Sequence, residues 1–160
     1  MRYSSADIEN CPVVKDAMIR AKGQNKGLLL YGTTGSGKTY ALYALGKQTK
    51  IEYKIENWVE LMLEVRDKVS SGKQLGVIIN DLCVNDVLAI DDLGAENQTQ
   101  FSQEVLYILI NRFYIAEKRI IIATNLTLAE LATKYGDRVF SRIVEMCELV
   151  ELSGADKRLN

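Results

Sequence analysis

Short, continuous apolar runs recur along the chain, and segments of helical period fill the intervals between them. Runs of strand length fall at residues 28–31, 51–55, 87–90, 120–123 and 149–152. The first, third and fourth are unbroken, reading Leu-Leu-Leu-Tyr, Val-Leu-Ala-Ile and Ile-Ile-Ile-Ala, as strands covered on both faces do. Helical period appears at 38–47, at 58–69 with Trp58, Leu61, Met62 and Val65 on one face, and at 99–118 with Phe101, Val105, Ile108, Leu109 and Phe113. Thr127-Leu128-Ala129-Glu130 has the form of a capping box that opens a short helix ending near Gly136. In the last helical stretch, 137–147, Val139, Phe140, Ile143, Val144 and Cys147 form the inward side, while Arg138 and Arg142, four apart, project together from the other. Strand and helix in alternation predict an α/β fold, a five-stranded parallel sheet flanked by helices. One proline and no low-complexity stretch predict a single domain over residues 1–160.

Directly after the first run stands Gly32-Thr33-Thr34-Gly35-Ser36-Gly37-Lys38-Thr39, which fills the pattern Gly-x-x-x-x-Gly-Lys-Thr. Its glycines let backbone amides turn inward, and the helix that follows points the positive end of its dipole at the same spot, so the segment predicts a cradle for phosphates. Lys38 is expected to reach the β- and γ-phosphates of ATP and the Thr39 hydroxyl to ligate Mg²⁺, with Tyr40 continuing the site into the first helical turn. A second strand ends in Asp91-Asp92, at the edge where parallel α/β sheets bind ligands. Asp91 is expected to hold Mg²⁺ through its water shell, and Asp92 to lie nearest the attacking water. The run 120–123 leads to Asn125, whose amide can bond both γ-phosphate and water, although asparagine also suits a turn.

Composition narrows the chemistry further. With no histidine in the chain, an imidazole base, a histidine metal ligand and a Ser-His-Asp triad are excluded, which leaves carboxylates, lysine, arginine and metal-bound water. Cys11, Cys83 and Cys147 are odd in number and lack Cys-x-x-Cys spacing, so reduced, buried thiols in a cytoplasmic setting are expected. No apolar run reaches membrane-spanning length, and the N-terminus lacks the apolar core of a signal peptide. Charge is uneven: residues 1–50 carry eight basic and three acidic side chains, and residues 51–110 four and eleven. The acidic middle coincides with the expected metal site.

Taken together, the segment Gly27–Tyr31 with the glycine loop, Leu-Ala-Ile-Asp-Asp-Leu-Gly-Ala-Glu at 88–96, Ile-Ile-Ala-Thr-Asn-Leu at 121–126 and Gly-Asp-Arg-Val-Phe-Ser-Arg-Ile at 136–143 resemble the AAA+ core of bacterial helicase loaders of the DnaC and DnaI type. IstB-type transposition helper ATPases carry a similar set. The resemblance implies an ATPase in which residues 32–39 are the Walker A loop, Asp91 and Asp92 the Walker B pair, Asn125 the sensor-1 residue, and Arg142 an arginine finger reaching a neighbouring subunit, with Arg138 an accessory contact. Gly154 to Arg158 resembles the loaders' short Gly-x-x-x-Arg tail. It further implies self-association, single-stranded DNA and a helicase or transposase as partners.

Three features depart from that family. Asp92 stands where many members have Glu, which predicts slow turnover; the chain stops at Asn160 without room for a helical lid; and the core starts near Met1, without the loaders' helicase-gripping segment. An ATP-dependent interaction switch with negligible hydrolysis is therefore a second reading. A small P-loop kinase would need an arginine-rich lid, and the chain has no such segment. Arg66, Lys68 and Lys73 are candidate DNA contacts, more readily read as a solvated helix surface, and Tyr3 or Ile8 is a candidate for adenine.

Overall fold

The computed structural model describes residues 3–49 and 53–154. A five-stranded parallel sheet lies at its centre, in the order β2-β3-β4-β1-β5, built from β1 (Gly27–Tyr31), β2 (Tyr53–Asn57), β3 (Val87–Leu93), β4 (Arg119–Thr124) and β5 (Cys147–Glu151). The three unbroken apolar runs became the three inner strands, as expected for strands with helices on both faces. Leu29, Leu88, Ile90, Ile120 and Ile122 face one core with α3 (Trp58–Ser70), α5 (Gln100–Ile115) and α7 (Asp137–Met146). Leu28, Leu30, Ala89, Ile121 and Ala123 face a second core with α1 (Pro12–Gly23) and α2 (Lys38–Gln48). The alternation of strand side chains thus divides each run between two layers.

The elements expected from periodicity are present, with shifted ends. The strand expected at 51–55 runs Tyr53–Asn57, its first two expected residues lying outside the described ones, and it stops where the Asn57 side chain accepts from the backbone N–H groups of Val59 and Glu60 to cap α3. The last strand begins at Cys147 rather than 149, because Cys147 and Val150 point inward while Leu149 is half exposed on the sheet edge. The capping box at Thr127 and Glu130 forms as expected and opens α6 (Leu128–Tyr135). Two helices were not anticipated. The inward stripe of α1 consists of Val14, Ala17 and Ala21, too small to stand out in a hydropathy pattern, and α4 (Leu75–Leu82) is an eight-residue segment buried through Ile78, Ile79 and Leu82. Of the three cysteines, only Cys147 is buried, where burial pushes its thiol up to about 12; Cys11 and Cys83 are half exposed, so the expectation of three buried thiols is corrected.

Candidate functional site

At the C-terminal ends of three adjacent strands, β1, β4 and β3, lies a cleft of about 780 Å³ lined by the phosphate loop from Thr34 to Tyr40, by Asp92 near the end of β3 and Ala95 beyond it, and by Asn125 after β4. Backbone geometry makes the loop. Gly32, Gly35 and Gly37 take φ values of 137°, 79° and 95°, where L-residues with a Cβ are strained. At Gly32 a Cβ would also lie 2.1 Å from the carbonyl oxygen of Leu152, so no larger residue fits where the loop leaves the sheet. Gly37 is the N-cap of α2, and the helix starts at Lys38 with its amides facing the cleft end.

Lys38 is buried, and its ammonium donates to the carbonyls of Gly32 at 2.8 Å and Thr33 at 2.7 Å and to the Ser36 hydroxyl at 3.1 Å. Gly32 and Thr33 therefore bear on the site through their carbonyls, while Thr34 to Tyr40 form its wall. The Thr39 hydroxyl donates to Asp91 Oδ1 at 3.1 Å, and the N–H of Asp92 donates to the same oxygen at 3.0 Å. Burial pushes the Asp91 carboxyl above its ordinary value, against these two hydrogen bonds, which favour the charged form. A hydroxyl and a desolvated carboxylate side by side are hard oxygen donors suited to Mg²⁺, which takes its remaining ligands from water and phosphate.

Strict strand alternation would send Asp91 and Asp92 to opposite faces. Instead β3 carries an extra residue against β4: Ile90 pairs with Ile122 and Leu93 with Thr124, so that Asp91 and Asp92 on one strand stand against Ala123 alone on the other. Asp92 takes φ 56° in this bulge, a left-handed conformation that Asp tolerates better than most side chains. The bulge turns the second acid into the cleft while the first stays beside Thr39. Asn57, at the tip of β2, donates its amide to Asp92 Oδ2 at 3.2 Å. Sequence reasoning missed this contact; the helix-capping pattern marks Asn57, but nothing local marks its partner 35 residues away.

The loop after the bulge is held by α6. Lys134 donates to the carbonyls of Gly94 and Glu96 at 2.7 and 2.8 Å, and the Tyr135 hydroxyl donates to the buried Glu96 carboxylate. At the other end of the cleft, Tyr3, Asn10, Cys11, Pro12 and Val13 face Leu152 and Ser153. Tyr40 joins the two ends, its hydroxyl accepting from the Asp7 N–H and the Asn10 amide, both at 3.0 Å. Of the two residues considered for adenine, Tyr3 lines the cleft. Ile8 does not: it is 1% exposed and belongs to the core beneath α2, which corrects that expectation.

Arg138 and Arg142 stand on α7, and neither lines the cleft. Arg138 is exposed, but Arg142 is half-buried, its guanidinium over the rings of Tyr107 and Tyr114. Of the candidate DNA contacts, Arg66 lies over the Phe101 ring and Lys68 pairs with Glu64, while Lys73 is an exposed side chain beyond α3. The tail residues from 155 onward lie outside the described ones.

A parallel sheet whose strand tips carry a glycine phosphate loop, an acid pair and an asparagine in this order is an AAA+ P-loop domain. The chain belongs to the IstB-like ATP binding protein family, whose model matches residues 6–160. It is 26% identical over 156 residues to the replicative helicase loader DnaI of Bacillus subtilis, a match covering 85% of this chain and 49% of DnaI. The fold superposes on a crystal structure of the DnaC helicase loader with a TM-score of 0.81 and 25% identity, over 95% of this chain and 99% of that one. It also matches the replication initiator DnaA bound to AMPPCP and single-stranded DNA, with a TM-score of 0.78 at 23% identity over 96% of this chain and 51% of that one, a likeness of fold alone. The chain spans about half the length of the curated relatives it matches. No helix among the described residues is long and apolar enough to cross a membrane.

Proposed function

We propose that this domain binds and slowly hydrolyses Mg²⁺-ATP in a site completed by a second copy of the chain, and that the resulting assembly serves a replicative helicase on single-stranded DNA. The observation that carries the reading is the convergence of three strand tips on one cleft, with Thr39 and Asp91 in contact at 3.1 Å. Amides of the 34–39 loop and the Lys38 ammonium bind the phosphates, for which Lys38 exchanges the carbonyls of Gly32 and Thr33. Thr39 and Asp91 are the protein groups that would hold Mg²⁺, which would supply positive charge to offset that of the triphosphate. Asp92 orients and polarises a water for in-line attack on the γ-phosphorus, and ADP leaves as the bond to the bridging oxygen breaks. Asn125 bonds the γ-phosphate and that water.

Among the described residues that line the cleft, Lys38 is the single basic one. An arginine supplied by another subunit contributes about 10³–10⁵ in rate in related phosphoryl transfer, and Arg142, off its own cleft, is suited to that role with Arg138 beside it. Support for helicase service comes from the kinship to helicase loaders, and for DNA from the fold shared with the DNA-bound initiator. The test is subunit mixing. Arg142→Ala and Asp92→Asn are each expected to bind ATP and hydrolyse little; mixed, they should recover activity, since the intact site of one meets the intact arginine of the other. No recovery at any ratio refutes the shared site. Particle mass with a non-hydrolysable ATP analogue should rise, further so with an oligonucleotide, and an unchanged mass refutes assembly.

A further inference from the structure

The surroundings of Arg142 hold more information than its position. On α5, Tyr107 and Tyr114 are seven residues apart and share a face; on α7, Arg138, Arg142 and Glu145 occupy a matching stripe. The Arg142 guanidinium carbon lies 5.8 Å from the Tyr107 ring centre and 5.4 Å from that of Tyr114, within cation–π range of both. The rest of the stripe is hydrogen-bonded. Arg138 Nη1 makes a long contact to the Tyr107 hydroxyl at 3.4 Å, and the Tyr114 hydroxyl donates to both Glu145 oxygens at 3.1 and 3.2 Å. Arg142 differs: among the described residues it makes no ion pair, although Glu145 is one turn away, and its Nη1 is buried without a hydrogen-bond partner.

An arginine that merely joined two helices would direct its donors at a carboxylate or carbonyl, because leaving a charged donor buried and unpaired is unfavourable. Here the aromatic faces hold the guanidinium and leave its buried Nη1 without a partner. We propose that Tyr107 and Tyr114 are positioning residues for Arg142: their rings restrict the side chain to a narrow angular range, pre-ordering it for the γ-phosphate of ATP bound by a second copy of this chain. The inference rests on the shared-site reading above. It also gives the two tyrosines distinct parts: the rings act on Arg142, and the hydroxyls tie the stripe to Arg138 and Glu145.

The experiment compares two double variants by steady-state ATPase rate at a protein concentration where the rate per subunit has reached its plateau. Tyr107→Leu with Tyr114→Leu removes both ring faces and should lower kcat about 10- to 100-fold, the scale on which loss of reactant positioning acts. Tyr107→Phe with Tyr114→Phe keeps the rings, loses the hydroxyls and should stay within about threefold of the parent, since cation–π attraction needs the ring alone. Affinity for a fluorescent ATP analogue should be unaltered in both, which also certifies the nucleotide site as folded; if the leucine pair does not bind, Tyr114→Leu alone is compared with Tyr114→Phe in the same way. Mixing the leucine variant with Asp92→Asn should restore hydrolysis, because the latter supplies an ordered Arg142. Equal rates for the leucine and phenylalanine variants overturn the proposal, as does a leucine defect that mixing does not repair. Arg142→Ala with undiminished hydrolysis instead overturns the shared-site reading on which it rests.

Discussion

Asn57 performs two tasks with one amide, and substitutions can separate them. Its oxygen caps α3 through Val59 and Glu60, and its nitrogen reaches Asp92. Loss of an N-cap costs about 1 kcal/mol. A hydrogen bond to a charged group contributes about 1.5–3 kcal/mol, and at 3.2 Å in a half-buried setting the low end, about 1.5, applies. Asn57→Ala should therefore destabilise by about 2.5 kcal/mol, a fall in Tm of about 5–10 °C for a domain of this size. Asn57→Ser keeps a capping oxygen and should lose about 1.5 kcal/mol, roughly half the shift. Asn57→Asp also keeps the cap but sets a carboxylate beside Asp92, adding about 1 kcal/mol of repulsion in a watery environment and more where water is excluded. The assay is thermal and urea unfolding of the three variants and of a cycle combining Asn57→Ala with Asp92→Ala. A coupling of about 1.5 kcal/mol is expected; a value within about 0.3–0.5 kcal/mol of zero, the additivity found for independent sites, would refute the claim that Asn57 holds the second acid. ATP affinity should change little, because Asn57 does not line the cleft.

Other outcomes follow from the same geometry. Lys38→Ala should weaken ATP binding about 100-fold or more by equilibrium titration, since charge-assisted phosphate bonds are lost, and an unchanged affinity would refute the phosphate-loop assignment. Asp92→Glu should raise turnover by bringing the carboxylate nearer the water while costing about 1 kcal/mol at the left-handed backbone position, read as faster hydrolysis with a lower Tm; no gain in rate refutes the slow-switch idea. Asp91→Asn keeps an oxygen to accept from Thr39 and from the Asp92 N–H but removes a desolvated charge. Because burial raises the folded-state value of Asp91, its ionised form destabilises the nucleotide-free protein above that value, and the penalty fades as pH falls toward its unfolded range near about 4. The variant should therefore melt higher than the parent near neutral pH, with the gap closing on acidification; a lower Tm at neutral pH overturns this account.

Much of the site was legible because it is written in contiguous residues. The phosphate loop consists of eight neighbours whose glycines set its backbone; Asp91 and Asp92 follow directly on one apolar run and Asn125 comes one residue after another, and both runs form inner strands. Periodicity placed α3, α5, α6 and α7 for the same local reason, and failed at α1, whose inward residues are mostly alanine. The contacts of Asn57 and Arg142, and the end of the cleft lined by Tyr3 to Val13 and by Leu152, join residues far apart in the chain.

What the sequence determined by itself was therefore the chemistry on offer: a phosphate cradle, two acids, an amide and two arginines, with no imidazole available. The tertiary structure alone decided how that chemistry is aimed. A one-residue mismatch between β3 and β4 turns Asp92 into the cleft, the order β3-β4-β1 brings three strand tips together, and two tyrosines on α5 receive Arg142. Strand register and helix-on-helix packing depend on all the neighbours at once, so no local pattern specifies them.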